Sequence, residues 1–170
     1  MMADKDFDRV QAVAMDVDGV LTDGTFWWGP NGEEFKRFCF ADSTGISLAQ
    51  RAGLKIALIS GESSTAGMAL VQRFADKLKI ADVYKGCHDK AAAILDFAEK
   101  NRLQLSEICF IGDDFIDVPA MAAVGLAAAP ADAQPAARLK AHFVTERNGG
   151  HGAVREILDA ILKNRMPGSS

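Results

Sequence analysis

The sequence predicts an α/β fold, a doubly wound, mostly parallel, Rossmann-like sheet that carries a small β-hairpin flap. Three observations predict it. Short apolar runs at residues 11–17, 54–59 and 108–111 have the composition of strands buried on both faces. Segments with helical apolar spacing alternate with them, the pattern of strand–helix–strand units that build a parallel sheet. Each run also ends in polar residues, namely Asp16, Ser60 and Gly112-Asp113-Asp114. That places them at the carboxyl edge, where such sheets bind ligands.

Taken in order, QAVAMDV at 11–17 is a valine-containing apolar run that closes in acids. Residues 24–40 interrupt the alternation. Two β-prone stretches there flank Gly29-Pro30-Asn31-Gly32, a turn composition, so the segment reads as a hairpin inserted between the first strand and the first helix. Residues 44–52 follow as a helix and 54–59 as the second strand. A helix over 63–78 lines up Leu70, Val71, Phe74 and Leu78, and one over 89–101 lines up Ala91, Ile94, Leu95 and Ala98. Shorter strands are expected at 81–84, 125–128 and 142–145. The last helix, 152–164, sets Val154, Ile157, Leu158, Ile161 and Leu162 on one stripe, and residues 166–170 read as a loose tail. With 170 residues and no internal repeat or linker, the expectation is one domain spanning 1–170, without a separate cap domain.

Composition narrows the function classes. Hydrophobic residues make up 49% and charged residues 25%, which argues against disorder and against a disulfide scaffold. Uncharged stretches are too short for a membrane span, and the polar start of the chain does not resemble a secretory leader, so a cytoplasmic location is expected. The net charge of −4 offers no broad nucleic-acid-binding face. Cys39, Cys87 and Cys109 form no CxxC pair, and His88, His142 and His151 show no metal-ligand spacing. These are expected to be structural or surface groups.

Chemistry concentrates in four places. Asp16-Val17-Asp18-Gly19 closes the first strand and could hold a divalent cation through hard oxygen ligands, although an Asp-rich solvated turn has the same composition. Neither GxGxxG nor GxxxxGK[ST] occurs there, which disfavours a dinucleotide or P-loop site. A second cluster, Asp113, Asp114 and Asp117, follows another buried strand. So many carboxylates raise one another's pKa unless a cation lies between them, while helix capping is the alternative use of Asp114 and Asp117. Ser60 ends a strand, and Lys90 opens a helix against its dipole.

The order of these elements carries a resemblance. Asp16-Val17-Asp18-Gly19-Val20, then Ser60, then Lys90, then Gly112-Asp113-Asp114 with Asp117, is similar to the four ordered motifs of the haloacid dehalogenase superfamily of phosphatases. Asp23-Gly24, Asn31-Gly32-Glu33-Glu34, 42–46 and 147–156 resemble its small cap-less branch. That branch contains 3-deoxy-D-manno-octulosonate 8-phosphate phosphatase and the nonulosonate 9-phosphate phosphatases.

The resemblance implies a phosphatase that works through an aspartyl phosphate on a 2-keto-3-deoxy sugar acid phosphate. Asp16 would be the nucleophile, Asp18 the acid and base, and Ser60 and Lys90 the groups that steady the transferring phosphoryl. Mg²⁺ would be held by Asp16, Asp18 (through its backbone carbonyl) and Asp113. Asp117 would orient Lys90 or a metal-bound water, with Asp114 beside it. Asp42, Ser43, Glu62, Lys77 and Arg147 would contact the substrate. Glu62 and Lys77 resemble the pair that contacts the sugar acid in the nonulosonate enzymes. The crowd of aromatics over 26–40 implies a flap that packs with flaps of other copies in a homotetramer, burying Phe26, Trp28, Phe38 and Phe40 between chains. The alternatives are another small phosphate ester as substrate, or a phosphoacceptor or scaffold that does not turn over. Asp18 argues against the latter, since a proton donor two residues after the nucleophile would be idle there.

Overall fold

In the computed structural model, residues 7–163 and 165 are described. The tail expected at 166–170 lies outside them.

Six strands form a parallel sheet in the order β5-β4-β1-β6-β7-β8. They are β1 (Ala12–Met15), β4 (Lys55–Ile59), β5 (Asp82–Tyr84), β6 (Ile108–Ile111), β7 (Leu126–Ala129) and β8 (Phe143–Val144). A separate antiparallel pair, β2 (Trp27–Trp28) and β3 (Glu34–Phe35), makes the flap. The helices are α1 (Phe40–Arg51), α2 (Thr65–Leu78), α3 (Lys90–Asn101), α4 (Val118–Ala123), α5 (Pro135–Lys140) and α6 (Ala153–Leu162).

Alternation along β1 shows why the central strands are apolar throughout. Val13 and Met15 enter one core with Ile46, Val71, Phe74, Val154, Ile157 and Leu158. Ala12 and Ala14 face the other core, with Ile94, Phe97, Met121 and Ala137. Helices cover both faces, so every side chain of the strand is buried.

The expected strands and the helices α2, α3 and α6 form within two residues of their predicted bounds. Helix α1 starts earlier than the apolar pattern suggested. It takes in Phe40, so the flap ends before that residue. Its opening turn is pinned from a distance: Asp42, closed to solvent, accepts hydrogen bonds from the Gly152 and Arg155 amides at 3.3 and 2.8 Å. Those amides belong to the start of α6 and lack partners in their own helix, so Asp42 docks the two helices. Helices α4 and α5 were not expected. Each spans only six residues, too few for an i, i+3, i+4, i+7 apolar stripe, and each is opened by a proline in its first turn.

Register sets the height of the site. Met15 pairs with Leu58 on one side and Ile111 on the other. The chain therefore leaves the sheet at one level after β1, β4 and β6, and Asp16 still donates its amide to Ile111 at 3.0 Å. Gly19, in the turn beyond, has φ +83°, and a Cβ there would collide with the Asp113 carboxylate. Glycine is needed at that position both for its backbone angle and for the closeness of the two acidic loops.

Candidate active site

At this edge, a cavity of about 450 Å³ is lined by Asp16, Asp18, Gly19, Gly24, Gly61, Glu62, Ser63, Asp113, Asp114 and Ile116. Beneath it lies a buried charge cluster. The Lys90 ammonium, supplied by the first residue of α3, is 2.6 Å from Asp16 and 2.6 Å from Asp117. Burial works against this cation, but the two carboxylates outweigh it and push its pKa above the ordinary value.

Asp117 is fully buried. One oxygen takes the Lys90 hydrogen bond; the other accepts from the Asp113 and Asp114 amides at 2.9 and 3.1 Å. Asp114 accepts from the Phe115 amide at 2.6 Å. Both acids therefore cap the short 3₁₀ turn at Phe115–Asp117, and Asp117 also holds Lys90.

Asp16, Asp113 and Asp117 bring one oxygen each within 4.8 Å of one another. Burial pushes Asp16 up to about 7, with Lys90 opposing and Asp117 adding to the rise. Burial pushes Asp113 up to about 8, reinforced by the charges of Asp16, Asp117 and Asp114. Carboxylates forced together this way gain from a dication between them, and an all-oxygen set suits a hard ion such as Mg²⁺. Asp18 was expected to contribute to the metal site through its backbone carbonyl, which leaves its carboxylate to turn to Lys36 at 2.9 Å. Asp117 adds a third carboxylate to the cluster.

Ser60 is buried at the end of β4, and its hydroxyl accepts from the Glu62 amide at 3.2 Å. Glu62 itself lines the cavity, and its carboxylate is 3.3 Å from Lys36. Eight of the residues singled out in the sequence thus converge: Asp16, Asp18, Ser60, Glu62, Lys90, Asp113, Asp114 and Asp117.

The other four do not line this cavity. Asp42 has both oxygens committed to the start of α6 and is closed to solvent, which corrects its expected part as a substrate contact. The Ser43 hydroxyl donates to the Cys39 carbonyl at 3.2 Å. Lys77 lies 4.7 Å over the Phe40 ring. Ser43 and Lys77 line a neighbouring cavity of about 250 Å³, together with Lys36, Phe38, Arg73 and Phe74. Arg147 lines a third cavity, of about 520 Å³, with Glu146, Arg155, Glu156 and Asp159.

Lys36 was missed. Its ammonium touches both Asp18 and Glu62, and only its position beside Glu33-Glu34, as a basic residue on an acidic turn, could have drawn attention to it. The flap aromatics divide. Phe38 stacks on Phe74 of its own chain with ring centroids 4.3 Å apart and is half-buried there. Phe26, Trp27, Trp28, Phe35 and Phe40 are exposed. Cys109 is buried, Cys39 and Cys87 are partly buried, and all three are free. His142 and His151 make hydrogen bonds within the fold.

Residues 49–157 match the model of the haloacid dehalogenase-like hydrolases. The chain belongs to that family. Within the haloacid dehalogenase-like hydrolases, it is 39% identical to 3-deoxy-D-manno-octulosonate 8-phosphate phosphatase of Salmonella typhi over 91% of this chain and 80% of the relative. The crystal structure of the corresponding Yersinia pestis phosphatase superposes with a TM-score of 0.90 at 38% identity, covering 95% of this chain and 85% of that one. The Moraxella catarrhalis phosphatase, solved with magnesium, phosphate and 3-deoxy-D-manno-octulosonate, gives a TM-score of 0.90 at 33% identity, covering 95% and 91%. The family membership and the sheet topology expected from the sequence both hold. Among the described residues, no helix is long and apolar enough to cross a membrane.

Proposed function

We propose that this chain is a single-domain, Mg²⁺-dependent phosphatase that hydrolyses 3-deoxy-D-manno-octulosonate 8-phosphate through an aspartyl phosphate on Asp16. The observation that carries the reading is the contact of Asp16 with the buried Lys90 ammonium, beside Asp113 and at the floor of the cavity that Asp18 lines. The substrate class comes from relatives 39% identical over nearly the whole chain and from the neighbour solved with the sugar acid.

The chemistry follows from the residue types. The Asp16 carboxylate attacks phosphorus in line, the bond from phosphorus to the sugar oxygen breaks, and Asp18 gives that oxygen its proton. The Asp18 carboxylate then takes a proton from the water that attacks the acyl phosphate. Phosphate leaves and Asp16 is restored. Lys90 and the Ser60 hydroxyl meet the charge on the transferring oxygens in a site sheltered from water, where such contacts act most strongly. Asp16, Asp113 and the Asp18 backbone carbonyl would hold Mg²⁺, which neutralises phosphoryl charge when bound, and Asp117, its oxygens taken by Lys90 and two amides, would orient Lys90 beside it.

Two finer points belong to this reading. The exposed Phe26, Trp27, Trp28 and Phe35 support a homotetramer assembled through the flaps, since two-residue strands leave an isolated hairpin marginal. A cytoplasmic location is retained from the sequence. A nonulosonate 9-phosphate stays the alternative substrate, on the resemblance of Glu62, which lines the cavity.

The test is steady-state phosphate release with Mg²⁺ from the eight-carbon and nine-carbon keto acid phosphates, alongside light scattering at micromolar concentration. Higher kcat/KM for the eight-carbon ester and about four times the chain mass support the proposal. Turnover of neither ester defeats the function, and a monomer defeats the assembly.

A further inference from the structure

The flap lacks the means to hold itself in place. Its two strands have two residues each, and four of its aromatics face solvent. Apart from Phe38, which stacks on Phe74, what ties it to the sheet edge is charge. Lys36, one residue past β3, has a side chain only 2% exposed. Its ammonium donates to Asp18 at 2.9 Å and to Glu62 at 3.3 Å, on the loops after β1 and β4. Glu34, on the flap itself, places an oxygen 3.6 Å from the same nitrogen, and that oxygen is buried with no hydrogen-bond partner among the described residues. On the other side of the flap, Arg37 reaches Asp23 at 3.4 Å and the His151 ring at 2.7 Å.

A buried ammonium must find carboxylates, and Lys36 finds them on two loops, while Glu62 accepts with its other oxygen from the Ser64 amide at 2.7 Å. The contact crosses from the flap to the rim of the cavity. Whatever moves the flap therefore moves the group that orients Asp18.

We propose that Lys36 is a positioning residue: it latches the flap over the cavity and holds the Asp18 and Glu62 carboxylates in place. The inference rests on the reading of Asp18 as the proton donor to the leaving group. Losing the latch should matter most for an ester whose leaving oxygen needs that proton, and least for one whose leaving group departs as a stable anion.

The experiment compares the assembled Mg²⁺-loaded protein with Lys36→Met and Lys36→Arg. Hydrogen exchange of peptides covering residues 24–40 reads the latch without reference to activity, and Lys36→Met should accelerate it about tenfold or more. On 3-deoxy-D-manno-octulosonate 8-phosphate, kcat should fall about tenfold or more, with less than about a threefold loss on p-nitrophenyl phosphate. Lys36→Arg, which keeps the charge, should restore most of both. Unchanged flap exchange overturns the latch, and equal losses on the two esters overturn the positioning of Asp18. If Lys36→Met does not fold, Glu62→Gln removes one partner of the same ammonium and should still speed flap exchange. A wild-type protein that hydrolyses neither ester defeats the proposed function, while the exchange measurement still decides the latch.

Discussion

The Lys90 ammonium lies 2.6 Å from an Asp16 oxygen, with both side chains almost wholly withdrawn from solvent. A buried cation in this position binds the loop after β1 to the start of α3. It also places positive charge beside the carboxylate that must approach a phosphate dianion.

Lys90→Met should therefore damage stability and activity together. Removing one partner of a buried, hydrogen-bonded charge cluster costs about 3–5 kcal/mol, because Asp16 and Asp117 are left facing each other. Urea unfolding should show that loss, and phosphate release should fall to background. A variant as stable as the parent contradicts the structural part of this assignment.

Asp16→Asn separates the two effects. The amide keeps the size of the side chain, and Lys90 retains Asp117, so the circular dichroism spectrum should match the parent. Turnover should drop at least about 10³-fold, as loss of a covalent nucleophile does. Residual activity within a few-fold of the parent excludes attack by Asp16.

Mg²⁺ should stabilise the protein in a pH-dependent way. Asp16 and Asp113 have ordinary values of 3.8, and burial and neighbouring charge push them up to about 7 and about 8 in the metal-free fold. Between those limits, the folded state holds more protons than the unfolded chain, so metal-free stability falls as pH rises from about 4 to about 8. A cation favours the ionised carboxylates and must displace their protons, so it binds more tightly at higher pH. At a hundredfold excess over Kd, Mg²⁺ should raise Tm by about 5–10 °C at pH 8. The gain should be smaller at pH 5.5. Thermal scans in EDTA and in Mg²⁺ check this, and a gain independent of pH argues against a site built from these acids.

Asp42→Ala should destabilise the fold by about 1–3 kcal/mol, since it leaves two amides at the start of α6 without their acceptor. Asp42→Asn, which retains one good acceptor, should recover part of that loss. Chemical denaturation supplies the comparison. A large rise in KM with no loss of stability would instead return Asp42 to the substrate contacts.

Features that depend on neighbours along the chain are legible in the sequence. Apolar runs of strand length, helical stripes such as Val154, Ile157, Leu158 and Ile161, and acids at the strand ends all follow from local periodicity. Parallel pairing then brings Asp16, Ser60 and Asp113 to one edge, because strand ends in register stop at one height. The short helices α4 and α5 escaped this reading, as a segment of six residues barely exceeds one helical period.

Which polar side chains meet across long separations emerges from the folded chain alone. Asp42 and Arg155 are 113 residues apart, yet they join α1 to α6. Lys90 finds Asp117 across 27 residues, and Lys36 finds Asp18 across 18. Nothing in the local pattern of a lysine or an aspartate indicates which loop will fold over it. The desolvation cost of an unpaired buried charge makes such partners necessary, and chain topology selects them.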